Sequence, residues 1–214
     1  MVGESPTFWW EPPDWRAYAL SPASAVYGRI AAARMRNAPR VALPVPVLCV
    51  GNFTVGGSGK TPVTAAMARA AHAAGLRPGI LSRGHGGSAR TPHLVDPEHD
   101  LARHVGDEPL LLARDALVAI SADRAAAGKL LVENGCDFLV MDDGFQSARV
   151  AIDYALIVVG SGQGVGNGHV IPGGPLRAPV AAQLPFADAL LKLGDGTAAD
   201  GIVRKAARAG KALY

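Results

Sequence analysis

Short apolar runs alternate with longer, alanine-rich stretches along the chain from Pro44 onward. The runs cover residues 45–50, 79–81, 117–121, 138–141, 154–159 and 187–193. Strands that are apolar on both faces and separated by helices are typical of a buried parallel sheet, because each crossover helix covers one face. The pattern therefore predicts an α/β fold with a mostly parallel sheet flanked by helices. Ligands of such folds gather at the carboxyl ends of the strands.

The first 40 residues differ from the rest in composition. All three tryptophans, Trp9, Trp10 and Trp15, lie here, and five arginines between residues 16 and 40 have no acidic residue among them. Aromatic rings, apolar residues at helical spacing and clustered arginines are typical of an amphipathic helix in a membrane interface. The same pattern also fits a helix that packs its aromatic side chains on the domain core.

The composition is that of a globular protein. Apolar residues make up 49% of the 214 positions and charged residues 18%, which excludes a disordered or fibrous chain. Cys49 and Cys136 lie in apolar runs, so we expect two reduced, buried thiols in an intracellular compartment. No apolar stretch is long enough to span a bilayer, and the N-terminus lacks the pattern of a signal peptide. The net charge of +3 does not by itself indicate nucleic acid, and we expect neither that partner nor an obligate protein partner.

The segment GNFTVGGSGKTP, residues 51–62, joins the first apolar run to an expected helix over 63–74. It departs from the phosphate-loop pattern G-x-x-x-x-G-K-[ST] at Thr54, where the pattern has glycine. That glycine serves mainly the turn out of the strand, so an extended threonine can replace it. In such loops backbone N–H groups and a lysine hold phosphates, and the following hydroxyl binds magnesium. The predicted nucleotide-binding residues are Thr54, Val55, Gly56, Gly57, Ser58, Gly59, Lys60 and Thr61, with Thr61 also a magnesium ligand.

Acidic residues follow two further elements. The strand in CDFLVMDDGFQ ends in Asp142, the better candidate for a magnesium ligand beside Thr61, and in Asp143, which assists with metal or substrate. Asp107 in GDEPLLLA is either an acid favoured in the first turn of a helix or a carboxylate that deprotonates an acceptor hydroxyl. The guanine motifs N-K-x-D and D-x-x-G are absent from the corresponding strands. Adenine, and hence ATP, is therefore the expected base.

Three more polar residues lie in expected loops at the same end of the sheet. His85 belongs to SRGHGG, and Asn167 and Arg177 belong to residues 160–179, which are too glycine-rich for regular structure and too many for a simple connection. We take these three as candidate substrate contacts, with Arg177 as a clamp for a phosphate or another anion. A plain glycine turn at His85 and a solvated Arg177 are the alternatives.

Taken together, VGNFTVGGSGKTP, SRGHGG, GDEPLLLA, MDDGFQ and GVGNGHVIPGGPLRAP resemble the tetraacyldisaccharide 4'-kinase family, the lipid A 4'-kinases of Gram-negative bacteria. The resemblance runs from about Pro6 to the last residue, and the threonine-led loop followed by T-P is typical of this family. It implies a P-loop NTPase-like fold and ATP- and Mg²⁺-dependent phosphorylation of the 4'-hydroxyl of a tetraacyldisaccharide 1-phosphate lipid A precursor. The implied location is peripheral, on the anionic cytoplasmic face of the inner membrane. Residues 1–40 would then form the membrane segment and residues 41–214 the kinase domain.

The resemblance also implies roles for single residues. Lys60 and Thr61 would hold phosphates and magnesium, Asp142 and Asp143 would complete the metal site, and Asp107 would be the base. Arg177 would face the anionic head of the substrate. His85 stands where the family commonly has tyrosine, so a ring-stacking role is not carried over.

The chain departs from the family in length. Family members are longer and carry a C-terminal Asp-His motif that is absent here, where a further strand starts at GKALY. The sequence therefore predicts a truncated member. Two other hypotheses stay open, a soluble P-loop ATPase or switch that docks a partner through its N-terminal helix, and an inactive fragment of the kinase.

Overall fold

The structure, a computed structural model, describes residues 5–57, 59–89, 91–147 and 149–214. The strands of this part of the chain are β1 (Val47–Gly51), β2 (Pro78–Ser82), β3 (His93–Leu94), β4 (Leu117–Ile120), β5 (Phe138–Asp142), β6 (Tyr154–Gly160), β7 (Ala189–Leu193) and β8 (Ala212–Leu213). Its α-helices are α1 (Trp15–Ala19), α2 (Ser21–Asn37), α3 (Lys60–Ala73), α4 (Ala102–Val105), α5 (Asp107–Leu112), α6 (Arg124–Glu133), α7 (Val180–Gln183) and α8 (Asp200–Arg208). The six predicted strands and the helix predicted over 63–74 are confirmed, with ends that differ by no more than three residues.

The chain forms two compact units. One contains Met1–Ala38, Asn52–Gly59 and Leu156–Tyr214, and the other contains Pro39–Gly51 and Lys60–Ala155. The division passes through the phosphate-loop segment, after Gly59. The predicted split at residue 40 into a membrane segment and a kinase domain concerns function and stays a prediction.

The second of these units is built on a sheet with the strand order β3-β4-β2-β5-β1. Strands β4, β2, β5 and β1 are parallel, and only the two-residue β3 runs antiparallel, against β4. Helix α3 packs against β1, β2 and β5, and α6 packs against β2 and β4. The register pairs Val50 with Asp142, so the phosphate-loop strand and the acidic strand end side by side.

The side chains of this sheet explain why it is parallel and buried. Every residue of β2 is buried, and Leu139, Val140 and Met141 of β5 have no exposed surface. Such strands need helices on their surfaces, and alanine-rich α3 and α6 allow close approach of helix to sheet. Helix α6 begins where the Asp123 side chain accepts hydrogen bonds from the backbone N–H groups of Ala125 and Ala126.

The other unit contains the parallel strands β6, β7 and β8, with α8 packed against β7 and β8. The strand that the sequence predicts to start at GKALY is β8. Residues 160–179 of this unit lack long helices and strands, as predicted, but backbone and side-chain hydrogen bonds fix their path. Trp9 Nε1, for example, donates to the Pro172 carbonyl at 3.0 Å.

The N-terminal helices also belong to this unit. Helix α2 buries Ser24, Gly28, Ala32 and Met35, so small residues form most of its packed face. Apolar and aromatic side chains on its other faces and on α1 are exposed: Trp15, Tyr18, Val26, Tyr27 and Ile30. Whether they lie in a membrane interface stays a prediction. In the described part of the chain, no helix has the length and apolar character needed to cross a bilayer.

Both cysteines are buried and free, as the sequence predicts. Burial raises the pKa of the Cys49 thiol to about 12. A thiol with that pKa stays protonated at neutral pH and is a poor nucleophile, so Cys49 is a core residue.

Candidate active site

The phosphate loop starts as an extended segment paired with another part of its own unit. Thr54 forms an antiparallel bridge with Leu176, and the Val55 N–H donates to the Pro175 carbonyl at 2.8 Å. The Arg177 N–H donates to the Phe53 carbonyl at 3.0 Å. Thr54 therefore has the extended backbone expected for a residue that replaces the first glycine of the motif.

Two glycines of the loop have backbone angles that favour glycine. Gly56 has φ 105° and Gly59 has φ 78°. A Cβ atom on Gly59 would also lie 2.7 Å from Leu193 Cδ1, too close for any side chain without a shift. Gly57 is exposed and Val55 is half-buried, whereas Ser58 lies outside the described residues. The path of the loop backbone thus depends on glycine at both positions.

A cavity of about 180 Å³ lies beside the loop. Its walls are Thr54, Gly56, Gly57, the turn at 160–164, Leu193 and the Trp10 ring. Sites for whole drug-sized ligands have volumes of about 300 to 1,000 Å³. This cavity is therefore too small for a whole nucleotide.

In the other unit, Lys60 and Asp143 form an ion pair at the start of α3. Lys60 Nζ lies 3.9 Å from Asp143 Oδ1, and only 11% of the lysine side chain is exposed. Thr61, the next residue of α3, is half-buried. The predicted catalytic lysine and one of the predicted acids are thus in contact.

Asp142 lies at the end of β5 and is almost completely buried, with 3% of its surface exposed. Its Oδ1 accepts a hydrogen bond of 3.0 Å from Thr64 Oγ1 on α3. The pKa of Asp142 is raised to about 6, chiefly by burial. The hydrogen bond from Thr64 and the Lys60 charge oppose this rise, whereas the neighbouring Asp143 and Glu108 carboxylates contribute to it. The neighbours of this buried carboxylate do not fully balance its negative charge, and a divalent cation would supply the missing positive charge.

Arg124 holds the backbone of the second acid. Its Nη2 donates to the Asp143 carbonyl at 2.8 Å, and the side chain is buried, with 6% exposed. Asp143 has φ 49°, in the left-handed region that costs a non-glycine residue about 1 kcal/mol or more. Burial lowers the pKa of Arg124, and the Asp143 charge opposes that shift. The arginine therefore stabilises both the charge and the unusual backbone of the acidic turn.

Asp107 is the first residue of α5 and is exposed. Gly106 before it has φ 94°, and a Cβ atom there would lie 2.5 Å from the His85 carbonyl oxygen. The segment after His85 is tied to α4 because the Ser88 N–H donates to the Arg103 carbonyl at 3.1 Å. The structure therefore brings SRGHGG next to the turn that presents Asp107, although the His85 side chain itself is exposed.

The two candidate substrate residues in the 160–179 segment have structural contacts. Asn167 Nδ2 donates to the carbonyls of Phe8 and Gly173, and its Oδ1 accepts from the His169 N–H at 3.0 Å. Arg177 Nε donates to the Thr54 carbonyl at 3.0 Å. Asn167 organises its own loop, and Arg177 lies against the start of the phosphate loop. Their contacts with substrate stay predictions.

Sequence reasoning missed three residues of the acidic site. Thr64 lies three positions after Thr61 and so occupies the same face of α3, a spacing that could have identified it. Glu108 follows Asp107 in sequence, and its charge acts on Asp142. Arg124 had no sequence signal, because an arginine at the start of a helix is usually solvated.

The parallel sheet, the glycine-rich loop before α3 and the acidic end of β5 define a P-loop NTPase-like α/β protein. The sequence model of the family described as tetraacyldisaccharide-1-P 4'-kinase matches residues 16–214. The chain belongs to the tetraacyldisaccharide 4'-kinase family. It is 62% identical to the tetraacyldisaccharide 4'-kinase of Mesorhizobium japonicum and 60% identical to that of Rhizobium meliloti, and each match includes the whole of this chain.

Among solved structures, the chain resembles LpxK from Aquifex aeolicus, described as a complex with ATP. The TM-score is 0.72 at 30% sequence identity, and the match covers 82% of this chain and 58% of that one. The chain covers 63% of the Mesorhizobium japonicum relative and 62% of the Rhizobium meliloti relative. It therefore spans a little under two thirds of the length of these relatives.

Proposed function

We propose that this chain carries the nucleotide-binding part of a kinase that transfers the γ-phosphate of ATP to the 4'-hydroxyl of a tetraacyldisaccharide 1-phosphate lipid A precursor. The observation that carries the proposal is the cluster of Lys60, Asp143, Asp142 and Thr64 directly after a glycine-rich loop. Family membership and the ATP complex of the Aquifex aeolicus relative support it. The candidate substrate contacts Arg177, His85 and Asn167 belong to this proposal.

Phosphoryl transfer requires positioning and neutralisation of charge more than covalent chemistry by the protein. Lys60 is held at the start of α3 with its ammonium group at Asp143, so its position is fixed before a phosphate arrives. The loop residues 54–59 would supply backbone N–H groups. Lys60 would then neutralise the negative charge that develops on the transferred phosphoryl group. A cation held in place stabilises such a transition state more than a mobile one does.

The acidic site has the donors that magnesium prefers. Mg²⁺ is usually bound by one or two carboxylates together with substrate phosphates, and the buried Asp142 carboxylate lacks positive charge. Thr61 and Asp142 would hold the ion, and Asp143 would assist. When bound, the ion would supply positive charge that neutralises the charge of the phosphates. Thr64 holds the Asp142 carboxylate, and Arg124 holds the main-chain carbonyl of Asp143.

We assign Asp107 as the base that accepts the proton of the attacking hydroxyl. The exposed position at the start of α5 allows it to reach a bulky acceptor, and Glu108 on the same turn is electrostatically coupled to Asp142. Replacement of Asp107 by asparagine should lower kcat about a hundredfold with little change in ATP affinity. Near-normal turnover of this variant at neutral pH would contradict the assignment.

The transfer itself tests the proposed function. The chain would be joined to the part of the Mesorhizobium japonicum relative that lies outside the match and incubated with labelled ATP and the lipid precursor. We expect label on the 4'-position that requires Mg²⁺ and is absent when the precursor already carries a 4'-phosphate. ATP binding without any transfer would instead favour an inactive remnant.

The exposed aromatic and apolar side chains of α1 and α2 favour attachment to an anionic membrane. Trp15 is 76% exposed and Ile30 is 65% exposed, and Arg29 and Arg36 lie on the same helix as Ile30. Rings and arginines of this kind bind the headgroup region of a bilayer. The proposed location is therefore the cytoplasmic face of the inner membrane.

Vesicle flotation tests this attachment. We expect the chain to float with vesicles that contain phosphatidylglycerol, and the double replacement of Trp15 and Ile30 by serine should weaken binding about tenfold. Leu101 and Leu111 are also exposed, and their double replacement by serine is the matched control that should have no effect. Equal losses in both variants, or no binding by the original chain, would favour a soluble switch that docks a protein partner.

A further inference from the structure

The unit that contains α2 has a second, larger cavity, whose lining includes none of the candidate site residues. It has a volume of about 660 Å³ and lies between α2 and residues 168–170 and 179–182. A volume of this size is within the range of sites for small organic ligands. We call it the α2 groove.

The α2 groove has an apolar floor and a cationic side. Ala25, Gly28 and Ala32 of α2 face Val170 and Pro179 across it. A Cβ atom on Gly28 would lie 3.3 Å from two atoms of the Pro179 ring, so the absence of a side chain allows these walls to approach. The groove therefore presents mainly methyl and methylene groups along its floor, which suit an alkyl chain.

The cationic side consists of Arg29 and Arg36, which both line the groove. They are seven residues apart and so lie on the same face of α2, about 10 Å apart along its axis. No acidic residue lines the groove, and among the described residues no carboxylate pairs with either arginine. The sequence contains no Asp or Glu between Trp15 and Val95, so the positive charge is uncompensated locally.

The exposed apolar residues Val26 and Ile30 lie on the adjoining face of α2, beside Arg29. If this face rests on a bilayer, as proposed above, the two arginines lie at the level of the lipid phosphates and the groove opens next to them. His169 also lines the groove, and its ring meets the Tyr18 ring edge-on at 5.6 Å between centroids.

We propose that the α2 groove binds one anionic phospholipid of the bilayer, with an acyl chain along the floor of small residues and the phosphate between Arg29 and Arg36. The bound lipid would fix the orientation of the chain on the membrane. This inference rests on the proposed membrane attachment but is independent of phosphoryl transfer. A uniform basic surface would bind anions too, but it would not require the apolar floor.

The test uses dihexanoyl phosphatidylglycerol below its micelle concentration, titrated into the chain and followed by amide chemical shifts. We expect shifts centred on Ala25, Gly168 and Val170. Dihexanoyl phosphatidylcholine, with the same chains but no net charge, should bind more weakly, and glycerol 3-phosphate, with the charge but no chains, should also bind more weakly. Equal binding of glycerol 3-phosphate would overturn the lipid proposal in favour of a phosphate site.

Two variants locate the site. Arg36→Gln should weaken binding of the short-chain lipid about fivefold, which is about 1 kcal/mol, whereas Arg34→Gln removes the same charge from the same turn outside the groove and should not change it. Ala25→Phe keeps the charge and fills the groove from an exposed helical position, so it should abolish the shifts. Equal effects of Arg34→Gln and Arg36→Gln, or unchanged binding by Ala25→Phe, would overturn the assignment to the groove whatever the outcome of the kinase assay.

Discussion

Replacement of Lys60 by alanine is expected to lower phosphoryl transfer about a thousandfold. The ammonium group lies 3.9 Å from Asp143 Oδ1, and only 11% of the lysine side chain is exposed. A cation from solution would therefore not easily replace it in the alanine variant. A fixed, poorly solvated cation stabilises the transition state much more than a mobile one does. The loss should appear mainly in kcat, because in the proposed site the backbone N–H groups of the loop would still hold the phosphates.

The measurement is a steady-state transfer assay on the chimaera described above, with ATP affinity measured separately by calorimetry. Lys129 lies exposed on α6, and Lys129→Ala is the control that removes one lysine without effect on either quantity. If Lys60→Ala kept more than a tenth of the original kcat, the phosphate loop would not be the site of transfer.

Asp142→Asn is expected to change activity and stability in opposite directions. The variant should lose Mg²⁺-dependent nucleotide binding almost completely, because a neutral amide is a poor ligand for this ion. Without nucleotide it should nevertheless be more stable than the original chain at neutral pH. Its oxygen can still accept the hydrogen bond from Thr64, and no buried charge is formed.

The sign of the stability change follows from the raised pKa. Folding raises the pKa of Asp142 from 3.8 to about 6, so the folded chain binds this proton more tightly than the unfolded chain. The contribution of protonated Asp142 to the free energy of unfolding is complete below about pH 4. It is lost as the pH rises to about 6, and the loss amounts to about 3 kcal/mol at most. The advantage of the variant should therefore be absent near pH 4 and complete above pH 6.

Urea unfolding at pH 4 and pH 7.5 measures this difference. Asp137→Asn is the control of opposite sign, because backbone and side-chain hydrogen bonds from Arg77 lower the pKa of that exposed acid. Its removal should reduce stability at neutral pH. If Asp142→Asn were less stable than the original chain at pH 7.5 without nucleotide, the burial of the charge would not be the dominant effect.

The sequence predicted the sheet well because its strands are buried on both faces and separated by helices. Each apolar run from β1 to β7 could be assigned without knowledge of its neighbours, except β3. That strand has two residues, His93 and Leu94, and exists only because β4 offers an edge for an antiparallel pair. Periodicity does not identify an element of this length.

The candidate site could be predicted only where it is local in sequence. The phosphate loop with Lys60 follows one strand, and the two acids follow another. Because these strands are parallel, their carboxyl ends lie at the same edge of the sheet. Thr64 and Arg124 act through side chains that approach the acids from α3 and α6, and such contacts depend on packing that no single segment specifies. The same holds for the contacts of Asn167. Its partner Phe8 is distant in sequence, and its partner Gly173 is one of many glycines in the same loop.

The pairing of Thr54 with Leu176 shows which structural requirement applies at the first position of this phosphate loop. Thr54 is held through main-chain atoms, as part of a strand-like segment that includes Val55 and Pro175. Any residue that accepts an extended backbone satisfies that requirement. Glycine at the first position of the motif therefore concerns only how the chain leaves its strand. A search pattern that requires it excludes proteins that share the later glycines, the lysine and the hydroxyl residue of the motif.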